Sequence, residues 1–192
     1  MTNYPDIYVL RHGQTEWNRE GRFQGQQDSA LTELGERQAK QQGDLLRDLK
    51  LDYETVSVFC SPLQRASRTA SLAGLTAKPD PRLKELYFGS LEGRLKSETS
   101  HLIPDFDKDG DLTRHFNSPD GERFETMRDR CQSFLDDLNG PAVIVAHGIT
   151  SIVLRGLWLG LDRQGMGALP IGQGCIYCLN DLQETVLDRV LT

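Results

Sequence analysis

Two histidines each follow a short apolar segment, one near the start of the chain and one near its end. His12 comes directly after Arg11 and the apolar run 7–10, and His147 comes directly after the run 142–146. Short β-prone runs that end near a glycine are typical of buried parallel strands. Ligands of open α/β sheets bind beyond the carboxyl ends of such strands. We therefore expect both histidines and Arg11 to lie in one crevice, in a combination that suits chemistry on a phosphoryl group.

The chain carries each kind of group that attack on a phosphomonoester requires. The reaction needs a nucleophile in line with the leaving oxygen, positive charge around the other phosphoryl oxygens, and an acid for the leaving oxygen. His12 is the candidate nucleophile, since histidine can form a covalent intermediate. Arg65 follows the next predicted strand and is a second candidate cation, because a guanidinium pairs bidentately with phosphate. Glu85 is the candidate acid.

Alternating apolar patterns predict a single α/β domain over residues 1–192. The predicted strands are 6–11, 55–60 and 142–146, with a terminal hairpin at 174–180 and 185–190. The predicted helices run from Thr32 to about Lys50, from Ser61 and Pro62 onward, from Asp120 onward, and over 149–159, whereas 12–30 is predicted to be a loop. Strands that alternate with helices predict a three-layer α/β/α sandwich with a mostly parallel sheet.

The composition and net charge argue against several classes of binding partner. The chain has 192 residues and a formal net charge of −6, so we expect no nucleic acid or acidic membrane as partner, and any anion must bind in a local basic pocket. No run of 18 apolar residues and no leader peptide is found, so we expect no membrane span and a cytoplasmic protein.

Cys175 and Cys178 have the spacing of a redox or zinc pair, but they fall in a predicted strand, where residues three apart face opposite sides. We therefore expect packed, reduced thiols.

Seven short motifs run through nearly the whole chain. They are Arg-His-Gly-x-Thr-x-Trp-Asn at 11–18, then 22–28, 31–39, 60–70, 85–93, 118–125 and Ala-His-Gly at 146–148. Their types and their order resemble the histidine phosphatase superfamily, also called phosphoglycerate mutase-like. The resemblance implies the phosphoglycerate mutase-like fold and a phosphomonoester hydrolase that works through a covalent phosphohistidine.

The resemblance also implies a role for each matching residue. His12 becomes phosphorylated and Glu85 is the proton donor. Arg11, Arg65 and His147 hold the phosphate, and Asn18 and Gln24 contact the phosphoryl oxygens. Arg123 stands where many members have serine, from where it could reach the substrate. The implied partner is a small phosphorylated substrate, with no cofactor and no metal.

Three alternatives stay open at this point. The first is mutase-type phosphoryl transfer between positions of a small phosphorylated acid, and the second is a non-catalytic phosphate-binding member of the family. The third is a metal-dependent hydrolase with His12 and His147 among the ligands, which Arg11 argues against because it brings a cation next to His12. Hydrolysis is the prediction, because the segment 94–118 is too short and irregular for a large lid that would keep water from a phosphohistidine.

The polar segment 94–118 carries few signals of its own. We interpret His101 and His115 as surface residues. The alternating aspartates of 105–111 lack the glycine and glutamate spacing of a calcium loop and are interpreted as a solvated loop.

Overall fold

The computed structural model describes residues 4–104 and 112–189 and contains a six-stranded sheet. Its strands are β1 (Ile7–Arg11), β2 (Ser57–Cys60), β3 (Lys78–Pro79), β4 (Ala142–Ala146), β5 (Ile176–Asn180) and β6 (Gln183–Leu187). They lie in the order β3-β2-β4-β1-β5-β6. The pairs β2–β3, β2–β4 and β1–β4 are parallel, whereas β5 and β6 add antiparallel strands at one edge. The predicted mostly parallel sheet is therefore confirmed.

Seven α-helices are found in the described ranges, together with short 3-10 turns. The helices are α1 (Glu16–Glu20), α2 (Glu33–Asp48), α3 (Gln64–Leu72), α4 (Lys96–Thr99), α5 (Phe124–Asp136), α6 (Gly148–Trp158) and α7 (Arg163–Gly167). The 3-10 turns are Pro81–Leu83, Gly89–Leu91, Ser100–Leu102 and Leu112–Phe116. No helix within 4–104 and 112–189 is both long and apolar enough to cross a membrane.

Strand β4 lies at the centre of the sheet and is buried on both faces. Ile144 points into a core cluster that includes α5 and α6 residues, whereas Val143 and Val145 point into a second cluster with α2 and α3. Alternate residues of a strand face opposite sides, so a nearly all-apolar strand must be covered twice. The helices on the two faces provide that cover, which makes the predicted three layers.

Some helices begin at the predicted residue, and others begin a few residues later. Thr32 caps α2 as predicted, since its side chain accepts from the Gly35 N–H. The helix after Ser61 and Pro62 begins two residues later than the proline, at Gln64, and its N-cap Leu63 gives no side-chain hydrogen bond. Helix α5 begins at Phe124 and not near Asp120.

Two regions were predicted less well. The predicted loop 12–30 contains α1, which begins at a capping box formed by Thr15 and Asn18. The terminal hairpin turns at 181–182, so β6 begins two residues earlier than predicted. The segment 94–118 folds onto the domain where it is described, with Ile103, Leu112 and Phe116 buried, and the aspartates of 105–111 lie outside the described residues.

The cysteines follow the sequence interpretation. Cys175 and Cys178 are buried, unpaired, and members of different core clusters. The CxxC spacing therefore reflects two thiols that pack on opposite sides of the sheet.

Candidate active site

The two histidines meet because the strands that precede them are parallel neighbours. Arg11 pairs with Ala146 at the carboxyl ends of β1 and β4, so His12 and His147 come next on adjacent strands. The His12 N–H donates to the Ala146 carbonyl at 3.0 Å, and the two rings lie edge to face with centroids 5.2 Å apart. The structure thus brings His12 and His147 together, as the sequence predicted.

A close backbone contact holds the chain that leaves His12. A Cβ added at Gly13 would lie 2.1 Å from the Gly35 oxygen, and one added at Gly35 would lie 2.0 Å from the Gln14 oxygen. Only glycine at both positions lets the start of α2 pack against the His12 loop.

The hydrogen bonds of His12 define its tautomer. Nδ1 lies 2.7 Å from the Gly13 carbonyl oxygen, which can only accept, so Nδ1 carries the proton. Arg65 Nε donates to Nε2 at 3.2 Å, so Nε2 has a lone pair. Burial lowers the His12 pKa well below 6.5, and the charges of Arg65 and Arg11 lower it further. His12 is therefore a neutral imidazole whose Nε2 can act as a nucleophile.

Arg65 is a buried cation held by a surrounding loop. It donates to the Gly25 and Gln27 carbonyls at 2.6 Å each and pairs with Asp28 at 2.8 Å. Asp28 also accepts from the Gln64 N–H at 2.8 Å and so caps α3 from outside the helix. A cation is unfavourable at a helix N-terminus, and the Asp28 carboxylate offsets this. Asp28 lies in the 22–28 motif, but no local pattern in the sequence indicates this role.

The Glu85 carboxylate lies at the N-terminus of α6, the helix that begins directly after His147. Its carboxylate accepts from the N–H groups of Leu86, Ile149 and Thr150 at 3.0–3.2 Å and from the Thr150 hydroxyl at 3.1 Å. Glu92 is a second carboxylate in the same motif. Its carboxylate accepts from main-chain N–H groups at 2.8 and 3.1 Å, and it does not line the cavity described below. The geometry therefore favours Glu85.

Buried polar atoms without a partner cluster around His12. Arg11 Nε and both ring nitrogens of His147 are buried and have no hydrogen-bond partner among the described residues. Burial, followed by the charge of Arg65, lowers the His147 pKa well below 6.5. A Cβ added at Gly148 would lie 3.5 Å from Arg11 Nε and 3.6 Å from Glu85 Oε2, so these two groups flank the start of α6. Orphaned buried polar groups are rare, and a bound anion would satisfy the donors among them, Arg11 Nε and the protonated ring nitrogen of His147.

A cavity of about 180 Å³ opens over these groups. Of the predicted residues, it is lined by Arg11, His12, Asn18, Gln24, Arg65 and Glu85. Further lining residues are Arg22, Phe23, Gly25, Phe88, Lys96, His115, Gly148, Ile149 and Ile171. His147 is fully buried behind His12 and does not itself line the cavity. The lining has four arginine and lysine side chains and one carboxylate, a local basic pocket in a chain of net charge −6.

The three predicted substrate-binding residues differ in placement. Asn18 Oδ1 accepts from the Thr15 N–H at 3.2 Å and from Gln173 Nε2 at 3.3 Å. Gln24 lines the cavity, but its amide already bonds to Thr15 and to Ser29. Arg123 is exposed, donates to the Phe116 carbonyl at 3.4 Å, and is not brought to the cavity. Its side chain instead lies against Phe116, the last residue of the 3-10 turn Leu112–Phe116.

The segment 94–118 contributes more to the cavity than the sequence indicated. His101 is exposed as expected, whereas His115 is half-buried and lines the cavity. Lys96 also lines it, and desolvation followed by the charge of Arg11 lowers the Lys96 pKa. The segment has no clear apolar period, so only its packing on the domain reveals which side chains turn inward.

The site does not have the composition of a metal centre. Among residues 4–104 and 112–189, no group of three or more His, Cys, Asp or Glu side chains is placed to hold a metal ion. Guanidinium groups instead surround the two histidines.

Comparisons with known proteins agree with the geometry. The family model described as histidine phosphatase superfamily (branch 1) matches residues 7–186. A protein of Erwinia tasmaniensis named "Probable phosphoglycerate mutase GpmB" is 40% identical over 191 residues, covering 93% of this chain and 86% of the relative. The crystal structure of TTHB049 from Thermus thermophilus is 34% identical with a TM-score of 0.72, covering 97% of this chain and 99% of that one. The structure of Rv3214 from Mycobacterium tuberculosis is 28% identical with a TM-score of 0.80, covering 97% and 96%.

Proposed function

The chain belongs to the histidine phosphatase superfamily, and we propose that within it the protein is a metal-independent phosphomonoester hydrolase with His12 as nucleophile. One observation carries the proposal. His12 Nε2 is an unprotonated nitrogen at the wall of a basic cavity, because Nδ1 holds its proton against the Gly13 carbonyl. The pKa of His12, lowered by burial and two arginines, keeps that nitrogen available in mildly acidic solution.

The first step transfers the phosphoryl group to His12. The Nε2 lone pair forms the N–P bond while the ester P–O bond breaks, and the leaving oxygen takes a proton from Glu85. Arg11 and Arg65 neutralise the other phosphoryl oxygens, which carry the negative charge throughout, and the neutral His147 ring donates a hydrogen bond to the group. Glu85 therefore enters this step as the carboxylic acid and leaves it as the carboxylate.

The second step releases phosphate. Water attacks the phosphorus of phosphohistidine and gives a proton to the Glu85 carboxylate, the N–P bond breaks, and Nε2 regains its lone pair. Arg65 Nε, which donates to Nε2 in the free protein, must turn to a phosphoryl oxygen during the cycle. Free enzyme, alcohol and inorganic phosphate are the products.

Rapid quenching during turnover of a 32P-labelled monoester tests the covalent step. The protein should carry an acid-labile, base-stable phosphate, and His12→Ala should lose both the label and turnover. His101→Ala, at an exposed position outside the cavity, is the matched control and should keep both. Label on a residue other than His12, or near-normal turnover in His12→Ala, would refute the proposal.

Mutase-type transfer on a small phosphorylated acid is the second candidate. The name of the 40% identical relative favours it, and Arg22 and Lys96 on the cavity wall could receive a carboxylate. We place hydrolysis first because the described parts of 94–118 pack on the domain core, which supports an accessible phosphohistidine. A non-catalytic role is disfavoured because nucleophile, cations and acid all converge at one site.

The fate of phosphoglycerate separates the two enzymes. A hydrolase should release inorganic phosphate from 3-phosphoglycerate without a primer and isomerise it only in traces. Rapid isomerisation that depends on 2,3-bisphosphoglycerate, with negligible phosphate release, would make the protein a mutase.

A further inference from the structure

Gln173 contacts the site from a segment that carries none of the seven motifs. Its Nε2 donates to the main-chain carbonyl of His12 at 3.0 Å and to Asn18 Oδ1 at 3.3 Å. Both partners accept, so these bonds use the two protons of the Gln173 amide.

The segment 170–175 that carries Gln173 is fixed at both ends. The fully buried Arg155 donates to the Pro170 carbonyl at 2.8 Å, and two hydrogen bonds to the Glu184 carboxylate hold Arg155 itself in place. At the other end, Gln41 and Gln42 donate to the Gly174 and Cys175 carbonyls at 3.0 Å. The position of the Gln173 side chain is therefore set by the surrounding fold.

The bond from Gln173 and the capping-box bond from Thr15 together determine which end of the Asn18 amide faces the cavity. Asn18 Oδ1 receives two donors, the Thr15 N–H and Gln173 Nε2. A flipped amide would place its NH2 against both of these donors. Asn18 lines the cavity, so the end that remains for a ligand is Nδ2, a donor. A donor stabilises a bound anion, whereas the amide oxygen would repel it.

We propose that Gln173 is a positioning residue that holds the Asn18 amide with Nδ2 toward the phosphoryl group. The inference rests on the proposed function in one respect, that the cavity takes a phosphoryl group. Gln173 acts on the phosphoryl group through Asn18, while its bond to the His12 carbonyl anchors its own amide, and it is not itself among the residues that line the cavity.

Binding of inorganic phosphate, measured by isothermal titration calorimetry, tests the inference without any turnover. Gln173→Leu removes both donors at similar side-chain length, and we expect the phosphate Kd to rise about tenfold, the order of effect of one lost hydrogen bond to an ion. Gln132→Leu is the matched control, since Gln132 bonds to Asp136 on α5 and lies outside the cavity. Its Kd should stay within about twofold of the wild type.

A double-mutant cycle with Asn18→Ala separates positioning from general damage. In the Asn18→Ala background, Gln173→Leu should change Kd by less than about twofold, because the amide it orients is gone. Equal effects in both backgrounds would overturn the inference, as would an unchanged Kd in Gln173→Leu or a wild-type protein that does not bind phosphate. Gln173→Met replaces the leucine variant if thermal melting shows that the latter is unfolded. If the effects of Gln173→Leu and Asn18→Ala on phosphate binding are coupled but the protein hydrolyses no monoester, the inference is supported and the proposed function is refuted.

Discussion

Acidification should destabilise this protein through its two site histidines. Burial is the largest cause that lowers the pKa of both His12 and His147 well below 6.5 in the folded state. In the unfolded chain both would titrate near 6.5, so below that pH the unfolded state binds more protons than the folded state. The contribution of each histidine is therefore fully present above about pH 6.5 and is lost as the pH falls from there toward the folded pKa.

The size of the effect follows from the linkage relation. A histidine with an unfolded pKa of about 6.5 that stays neutral when folded contributes about 1 kcal/mol less at about pH 5.5 than at about pH 6.5. Two such histidines give a drop of about 2 kcal/mol in the free energy of unfolding. Most carboxylates titrate at lower pH and add little in this window.

Urea denaturation at about pH 7.5, 6.5 and 5.5 measures this drop directly. His12→Asn and His147→Asn should each reduce it to about 1 kcal/mol, because burial still lowers the pKa of the remaining histidine. His101→Asn changes an exposed histidine and should leave the drop unaltered. A double variant of His12 and His147 that still loses about 2 kcal/mol would show that other groups cause the effect.

Three further predictions concern the chemistry and its support. Glu85→Gln should lose far more activity on alkyl phosphates than on p-nitrophenyl phosphate, because a poor leaving group depends most on the acid; equal losses in kcat would point to a positioning role. Activity should survive prolonged dialysis against EDTA, since arginines supply the positive charge, and loss with recovery on adding one divalent ion would establish a metal enzyme. Asp28→Ala removes the partner of the buried Arg65 and the cap of α3, so unfolding in urea should show a loss of about 3 kcal/mol. The control Glu36→Ala, which breaks an exposed ion pair, should cost under about 1 kcal/mol, and equal losses in the two variants would contradict the role of Asp28.

The sequence was most informative where chemistry and local structure coincide. An apolar run followed by His12 or His147 predicted both a buried strand and a ligand site at its end, and the parallel pairing of β1 and β4 places the two histidines together. The helix predicted from Asp120 onward is found as α5, because helical spacing is a property of neighbouring residues, and Phe124, Met127 and Phe134 form its buried face.

The sequence was least informative where a contact joins residues far apart in the chain. The polar surroundings of His115 predicted a surface residue, and the family resemblance suggested that Arg123 could reach the substrate. Packing places the half-buried His115 at the cavity wall and leaves Arg123 exposed. Asp28 and Gln173 had no local signal, because their effects lie in bonds across 37 and 161 positions of the chain.

The residue types of the site, the strands that end at it and the family whose motifs it resembles were all predictable from local patterns in the sequence. The tertiary structure alone decided the tautomer of His12, the orientation of the Asn18 amide and the burial that lowers both histidine pKa values. Residue type and spacing fix which groups a strand or helix can present. Hydrogen-bond direction and desolvation depend on all the atoms that surround a group, and those atoms come from distant parts of the chain.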